Sequence, residues 1–195
     1  MGKKQKEVWQ EFSNEIQATY VKGRVPNSDR IEADFQNWHM VYDIYIVPVG
    51  NLWLAYTRLR APFTAKTDFK FRISRKTFLS KIAEKFGKSN VQTGDALIDD
   101  AFVIESNDAE KIKHLLSDKN IKILLLKKAD SDFQFSHRHK SIGRVFPKGC
   151  DGLNLAVLGD CDAEMLMLMY NLFGEILTSL MESGEIDYAP AEVKI

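Results

Sequence analysis

Residues 40–63 read MVYDIYIVPVGNLWLAYTRLRAPF. Two runs rich in β-branched and aromatic residues meet at Gly50-Asn51, and this spacing predicts a β-hairpin closed by a tight turn. In DFKFRISRK, residues 68–76, Phe69, Phe71 and Ile73 alternate with Lys70, Arg72 and Ser74. Strict alternation means one buried face and one wet face, as in an antiparallel sheet covered on one side.

Around these strands the period changes. Trp9, Phe12, Ile16 and Tyr20 recur at spacings of three and four, which predicts an amphipathic helix over residues 5–21, within an N-terminal segment 1–23. VPNSD at 25–29 is a loop, and IEADFQNW fits either helix or strand. Phe78, Ile82 and Phe86 predict a helix closed by Gly87. NVQTGDALIDD reads as a loop dense in turn formers, and AFVIES as a short strand. Asn107 or Asp108 caps a helix with Ile112, Leu115 and Leu116 inside. NIKILLLKK is taken as a helix over a strand; FQFSHRH and LNLAVLG read as strands. From Asp162 to Met181 the chain reads DAEMLMLMYNLFGEILTSLM, a helix apolar on nearly every side of its first turns. Such a helix is buried in its own protein or at an interface. The expected architecture is α+β: a single domain over 24–187, a mainly antiparallel sheet packed by helices, with a long apolar C-terminal helix and a frayed tail over 188–195.

Composition narrows the class. Apolar residues make up 45% and charged residues 28%, values of an ordinary globular chain. No apolar run is long enough to span a bilayer, the start MGKKQKEVWQEF lacks the apolar segment of a secretory signal, and position 6 is Lys where a myristoylation signal has Ser or Thr. Two cysteines, Cys150 and Cys161, make no disulfide framework. The expected location is cytoplasmic. Charge is segregated: 26 basic and 18 acidic residues up to Lys148, then nine acidic and one basic from Gly149 onward. Because the acidic part is rich in apolar residues, its charges are expected to complement the basic part of the same domain.

Residues 92–126, QTGDALIDDAFVIESNDAEKIKHLLSDKNIKILLL, resemble a bacterial family of uncharacterised proteins. The shared pattern is a Thr-Gly-Asp turn, a strand start, a Ser-Asn-Asp turn and a helix ending in Leu-Leu. TRLRAPF, FRISRK and the late LNLAVLG strand before a long helix extend the resemblance over roughly residues 40–180. Ile98-Asp99 stands where the pattern has Phe-Asp. The resemblance implies one domain of bacterial cytoplasmic type and no activity, cofactor or catalytic residue.

Several constellations invite chemistry. His137, His139, Cys150 and Cys161 carry zinc-type donors, but the cysteines are too widely spaced for a structural zinc motif, so no metal and no cofactor are expected. Asp95, Asp99, Asp100, Glu105, Asp108 and Glu110 form a carboxylate run without the order of a calcium loop, and turn and cap roles account for Asp95 and Asp108. Phosphate-loop, nucleophile-elbow and zinc-protease motifs are missing. The basic stretch Tyr56–Lys76 is the strongest candidate: Arg58, Arg60, Lys70 and Arg72 on wet strand faces suit an anion, with Trp53, Tyr56 and Phe63 available for stacking on a nucleic acid. The simpler reading pairs these arginines with the chain's own acids. On the C-terminal helix, Leu166, Tyr170, Phe173, Leu177 and Leu180 form the stripe expected to meet the sheet. Met165, Met169 and Ile176 are the expected interface of a homodimer.

The sequence therefore favours a non-catalytic binding or assembly module, without enzymatic activity, membrane attachment or a nucleic-acid partner. A small-anion-binding domain built on the basic strands is the alternative, and a metal-dependent enzyme comes third.

Overall fold

The computed structural model describes residues 2–23, 29–76, 90–127, 133–137 and 150–189. In chain order the elements are α1 (Lys3–Glu15), β1 (Thr19–Val21), β2 (Arg30–Phe35), β3 (Trp38–Val49), β4 (Leu52–Ala65), β5 (Phe71–Arg75), α2 (Ala96–Ala101), β6 (Phe102–Ser106), α3 (Ala109–Ser117), α4 (Lys119–Lys127), β7 (Phe133–His137), β8 (Asp151–Leu158), α5 (Ala163–Glu182) and β9 (Ile186–Tyr188). The nine strands form one sheet in the order β1-β2-β3-β4-β8-β7-β5-β6, with β9 added beside β4. Every named pair is antiparallel. This is the α+β domain that the strand periodicity predicts.

The hairpin at 40–63 forms as expected. Val49 pairs with Leu52 across a two-residue turn, and Gly50 takes φ +59° at the first central position, where a II′-type turn needs glycine. The ambiguous IEADFQNW is β2 and its turn: Phe35 pairs with Trp38, and Gln36 adopts φ 54°. The N-terminal helix ends earlier than its periodicity suggests. Gln17 turns at φ 56°, and Tyr20 lies on β1 opposite Ile31. A 3-4 spacing of apolar residues cannot register that stop, because both placements of Tyr20 face the same core. The turn-rich 88–100 segment holds the short helix α2, opened by the Asp95 carboxylate accepting from the amides of Leu97 and Ile98. Of the tail expected to fray, Tyr188 is paired as the last residue of β9 beside β4 and lies against Trp38 at 4.5 Å, and residues 190–195 lie outside the described residues. The helix expected at 77–87 lies outside the described residues.

Alternation places Ile31, Tyr42, Leu59, Leu155 and Ile73 on one sheet face, all buried, and the helices pack there. α1, α3 and α4 all pack against α5. Leu166, Phe173, Leu177 and Leu180 are at most 1% exposed, the stripe predicted for the sheet side. Met169 and Ile176, expected on a dimer interface, are at 1% and 0% exposed within this one chain, and Met165 is half-buried. The correction has a simple cause: α1 and α4 cover the flanks of α5, so its all-round apolarity is used internally. The acidic C-terminal region does pair with the basic part, through Lys66–Asp187, Lys111–Glu185 and Lys127–Glu164.

Two joints lock the helices to the sheet. Gly174 of α5 lets the Phe35 ring approach so closely that a Cβ there would stand 2.5 Å from it. Tyr170 closes the joint, its ring 5.6 Å from Phe35 and its hydroxyl donating to the Asp34 carbonyl at 2.9 Å. At the other joint the buried Asp29 carboxylate accepts from the Tyr20 hydroxyl (2.6 Å) and the Gly23 amide (2.8 Å) and faces Lys6 at 3.3 Å. Burial alone would raise the Asp29 pKa; the bonds from Tyr20, Gly23 and Lys6 outweigh it and hold the acid below its ordinary value. The Tyr20 phenol is pushed up to about 12 by burial and then by Asp29.

Gly174→Ala should lower stability by about 1–3 kcal/mol through overpacking, although alanine is the better helix former by about 1 kcal/mol. In a Phe35→Ala background the same change should be neutral or stabilising, which a double-mutant cycle of melting curves checks. Asp29 is ionised more readily in the folded chain than in the unfolded one. Its contribution is therefore present above the ordinary carboxylate pKa of about 4 and lost as pH falls through its lower folded value. Asp29→Asn should melt earlier at neutral pH and lose less of its remaining stability on acidification.

Candidate binding site on the second sheet face

Opposite the helices, the second sheet face carries a polar band. It begins at the Asp43–Arg58 pair of β3 and β4, which are register partners. The Arg58 guanidinium donates through Nε and Nη2 to the two Asp43 oxygens, both at 2.7 Å, and lies 4.5 Å above the Tyr45 ring. The fork geometry of arginine makes this a rigid, bidentate contact. Arg60 reaches the same carboxylate, its Nη2 2.8 Å from Asp43 Oδ2. One carboxylate thus serves two guanidinium groups. Burial pulls the Arg60 pKa down from its ordinary value, Asp43 opposes that, and the nearby charges of Arg58 and Arg30 add to the pull. Arg30 itself is held by Glu32 at 2.6 Å.

Strand register extends the band across the sheet. Arg60 pairs with Asn154 of β8, Asn154 with Ser136 of β7, Ser136 with Arg72 of β5, and Arg72 with Glu105 of β6. Neighbouring strands lie about 4.8 Å apart, so Arg60 and Arg72, three strands apart, flank Asn154 and Ser136 across roughly 14 Å. Arg72 Nη1 stands 3.7 Å from Glu105 on its outer side, and Asp43 holds Arg60 from its own outer side. These outer carboxylates fix the two arginines as walls.

Asn154 is the unusual member. It is 3% exposed, and neither its Oδ1 nor its Nδ2 has a hydrogen-bond partner. A buried, unsatisfied amide costs about 1–3 kcal/mol for each group left unmet. Native structures tolerate few such atoms, and each calls for an explanation.

Of the residues singled out in the sequence, Arg58, Arg60 and Arg72 belong to this band. They meet Asp43 and Glu105. Lys70 does not join them: it precedes β5, its side chain is exposed, and its backbone amide donates to Asn107 Oδ1 at 2.7 Å. The candidate stacking residues also separate. Phe63 is fully buried, and Trp53 lies on the opposite sheet face from Arg58 and Arg60 by strand parity. Tyr56 alone shares the band's face. Asp43 and Asn154 went unread in the sequence. A lone amide inside the apolar run LNLAVLG was the available signal for Asn154, but its place beside Arg60 follows only from the β4–β8 pairing.

The remaining constellations resolve into structural roles. Asp95 and Asp108 cap α2 and α3, as their positions suggested, and Asp95 also meets Lys122. Asp99 accepts from the Thr93 and Gly94 amides and the Thr93 hydroxyl, which closes the Thr-Gly-Asp turn. No cluster of three metal-type donors occurs among the described residues, and His139 lies outside them. The Cys161 thiol is buried and its pKa is pushed up to about 11 by that burial, so it is a poor nucleophile. A small cleft of about 200 Å³ opens between Phe69, His114, Leu115 and Leu180. Its charged groups are matched internally: Glu185 accepts from Lys111 at 2.8 Å and from the Thr67 hydroxyl. No helix among the described residues is long and apolar enough to cross a membrane.

The chain matches no protein-family model, no curated protein and no solved structure.

Proposed function

We propose that this chain is a non-catalytic binding module whose second sheet face holds a small oxyanion at Asn154, between Arg60 and Arg72. The observation that carries the reading is the buried Asn154 amide with both polar atoms unmet. Asparagine presents a donor and an acceptor together, and guanidinium groups present donors only. The ligand that completes this set carries an oxyanion for Arg60, Arg72 and Asn154 Nδ2, and one O–H or N–H for Asn154 Oδ1. Hydrogen phosphate and small hydroxy acids have that form.

The chemistry of the band favours holding over turning over. Arginine keeps its proton under all ordinary conditions. Both Asp43 oxygens already accept from guanidinium groups, so they stand away from general-base work. Of the candidate stacking residues only Tyr56 shares the band's face, whereas a single-stranded nucleic acid stacks successive bases on several aromatic side chains.

Thermal melting tests this directly. Phosphate and glycolate should raise the melting temperature, and acetate, which lacks the extra donor, should do so less. A ligand at a hundredfold excess over its Kd adds about 2.7 kcal/mol, which is several degrees for a chain of this size. Asn154→Leu removes the unmet amide at similar volume, so the unliganded variant should be as stable as wild type or more so, by about 1 kcal/mol. It should lose the response to ligand, as should Arg72→Met. A response that survives Asn154→Leu, or an Asn154→Leu chain that melts well below wild type, would sink the reading.

A further inference from the structure

The Asn154 amide stands among small and covered neighbours. On β8 the residues that share its sheet face are Gly152 and Ala156, opposite Pro62 and Arg58 of β4. All four are buried. Neither Gly152 nor Ala156 has a polar side chain, so neither can meet the amide, and both of its polar atoms stay unmet at 3% exposure. Enclosure at that depth suits a free ion. An ester group would need further room beside positions that are already covered.

The amide also selects by chemistry. One of its N–H bonds and its C=O lie side by side on a single carbon. An acid group with an O–H and an O⁻ on one central atom meets both in a cyclic pair of hydrogen bonds. In a hydroxy acid the hydroxyl and the carboxylate stand on adjacent carbons, which splays donor from acceptor; hydrogen phosphate carries both on phosphorus. Guanidinium groups supply donors only, so Arg60 and Arg72 cannot tell a protonated oxyanion from an unprotonated one. Asn154 Oδ1 can. A ligand that brings no proton leaves that oxygen buried and unpaired, and sites built around a ligand hydroxyl reject the analogue that lacks it strongly.

We propose that the ligand of this band is inorganic phosphate, selected over sulfate and over phosphate esters by the proton it presents to Asn154 Oδ1. The assignment rests on the band being an anion site. Sulfate has no O–H. A phosphate monoester loses its last O–H with a pKa of about 6, so nucleotides, sugar phosphates and phosphorylated side chains lack the proton at neutral pH. Phosphodiesters of lipids and nucleic acids never carry one. What remains is the free ion.

Calorimetric titration of the full chain at constant ionic strength tests the choice. At about pH 8 inorganic phosphate, sulfate and methyl phosphate are all essentially tetrahedral dianions, and only the first has an O–H. Phosphate should bind at least tenfold more tightly than either of the others. At about pH 5 methyl phosphate regains its proton and should approach phosphate, and sulfate should not. The lower pH also bears on the band itself, on Asp43 of β3, Arg58 and Arg60 of β4, Arg72 of β5 and Glu105 of β6. Inorganic phosphate has an O–H at both pH values and reports that shared change, so the ratio of the two phosphates isolates the ligand's proton. Asn154→Thr gives a second reading. A hydroxyl turns to donate or to accept, so this variant should bring sulfate and methyl phosphate level with phosphate. Sulfate or methyl phosphate matching phosphate on the wild-type chain, or a response to glycolate without one to phosphate, overturns the assignment and leaves the anion site standing. Binding of none of these ions removes both. Discrimination that persists unchanged in Asn154→Thr also overturns the assignment, because the selecting proton then goes elsewhere.

Discussion

The structure depends on the pairing of β4 along both of its edges. β3 runs along one edge from Val41 to Val49 and β9 continues that edge, while β8 lines the other, so that Phe63 has Tyr188 on one side and Asp151 on the other. Through β8 the strand is joined to β7, β5 and β6, and through β3 to β2 and β1. A slip of one residue in the β4–β8 register would exchange the sheet's faces. Leu59 and Ala61 would leave the core, and Arg58 and Arg60 would enter it. The burial of the first pair and the ion pairs of the second therefore enforce the same register from opposite sides.

That arrangement explains which parts of the molecule were legible in the sequence. The hairpin at 40–63, the alternation at Phe71 and Ile73, and the Asp162-capped helix each rest on local patterns, and each formed as read. Tyr20 did not, because an amphipathic stripe carries no mark for a backbone turn such as that at Gln17. α2 was hidden by its own cap: Asp95 and Gly94 read as turn residues and are turn residues, with a helix attached. Met169 and Ile176 misled for a different reason. Periodicity shows that a helix is apolar all round, and only the placement of α1 and α4 shows what covers it.

The candidate site divides in the same way. Arg58, Arg60 and Arg72 stood out as cations on strands. Of their acids, Asp43 was unread and Glu105 was read only as part of a carboxylate run, until pairing brought them opposite or diagonal. Asn154 meets Arg60 across strands distant in sequence, and a register of that kind leaves no trace in a window of ten or twenty residues. Lys70 shows the converse: one residue outside β5, it shares composition with the band and none of its geometry. Segregated charge was legible in outline. The acidic C-terminal region does meet lysines of the basic part, through Glu164, Glu185 and Asp187.

The two edges of β4 also set the order in which the sheet can be built. β3 pairs with β4 through a two-residue turn, so that hairpin closes early, on the microsecond scale typical of such units. The opposite edge waits for β8, which follows about ninety residues later, and long-range pairings of this kind slow folding. During that wait the chain presents a formed hairpin with an uncharged end, an open edge and no helix layer. This is the configuration most open to mispairing with another nascent copy. The interval between the first turn and the β4–β8 pairing is therefore the period in which this chain depends most on its cellular surroundings.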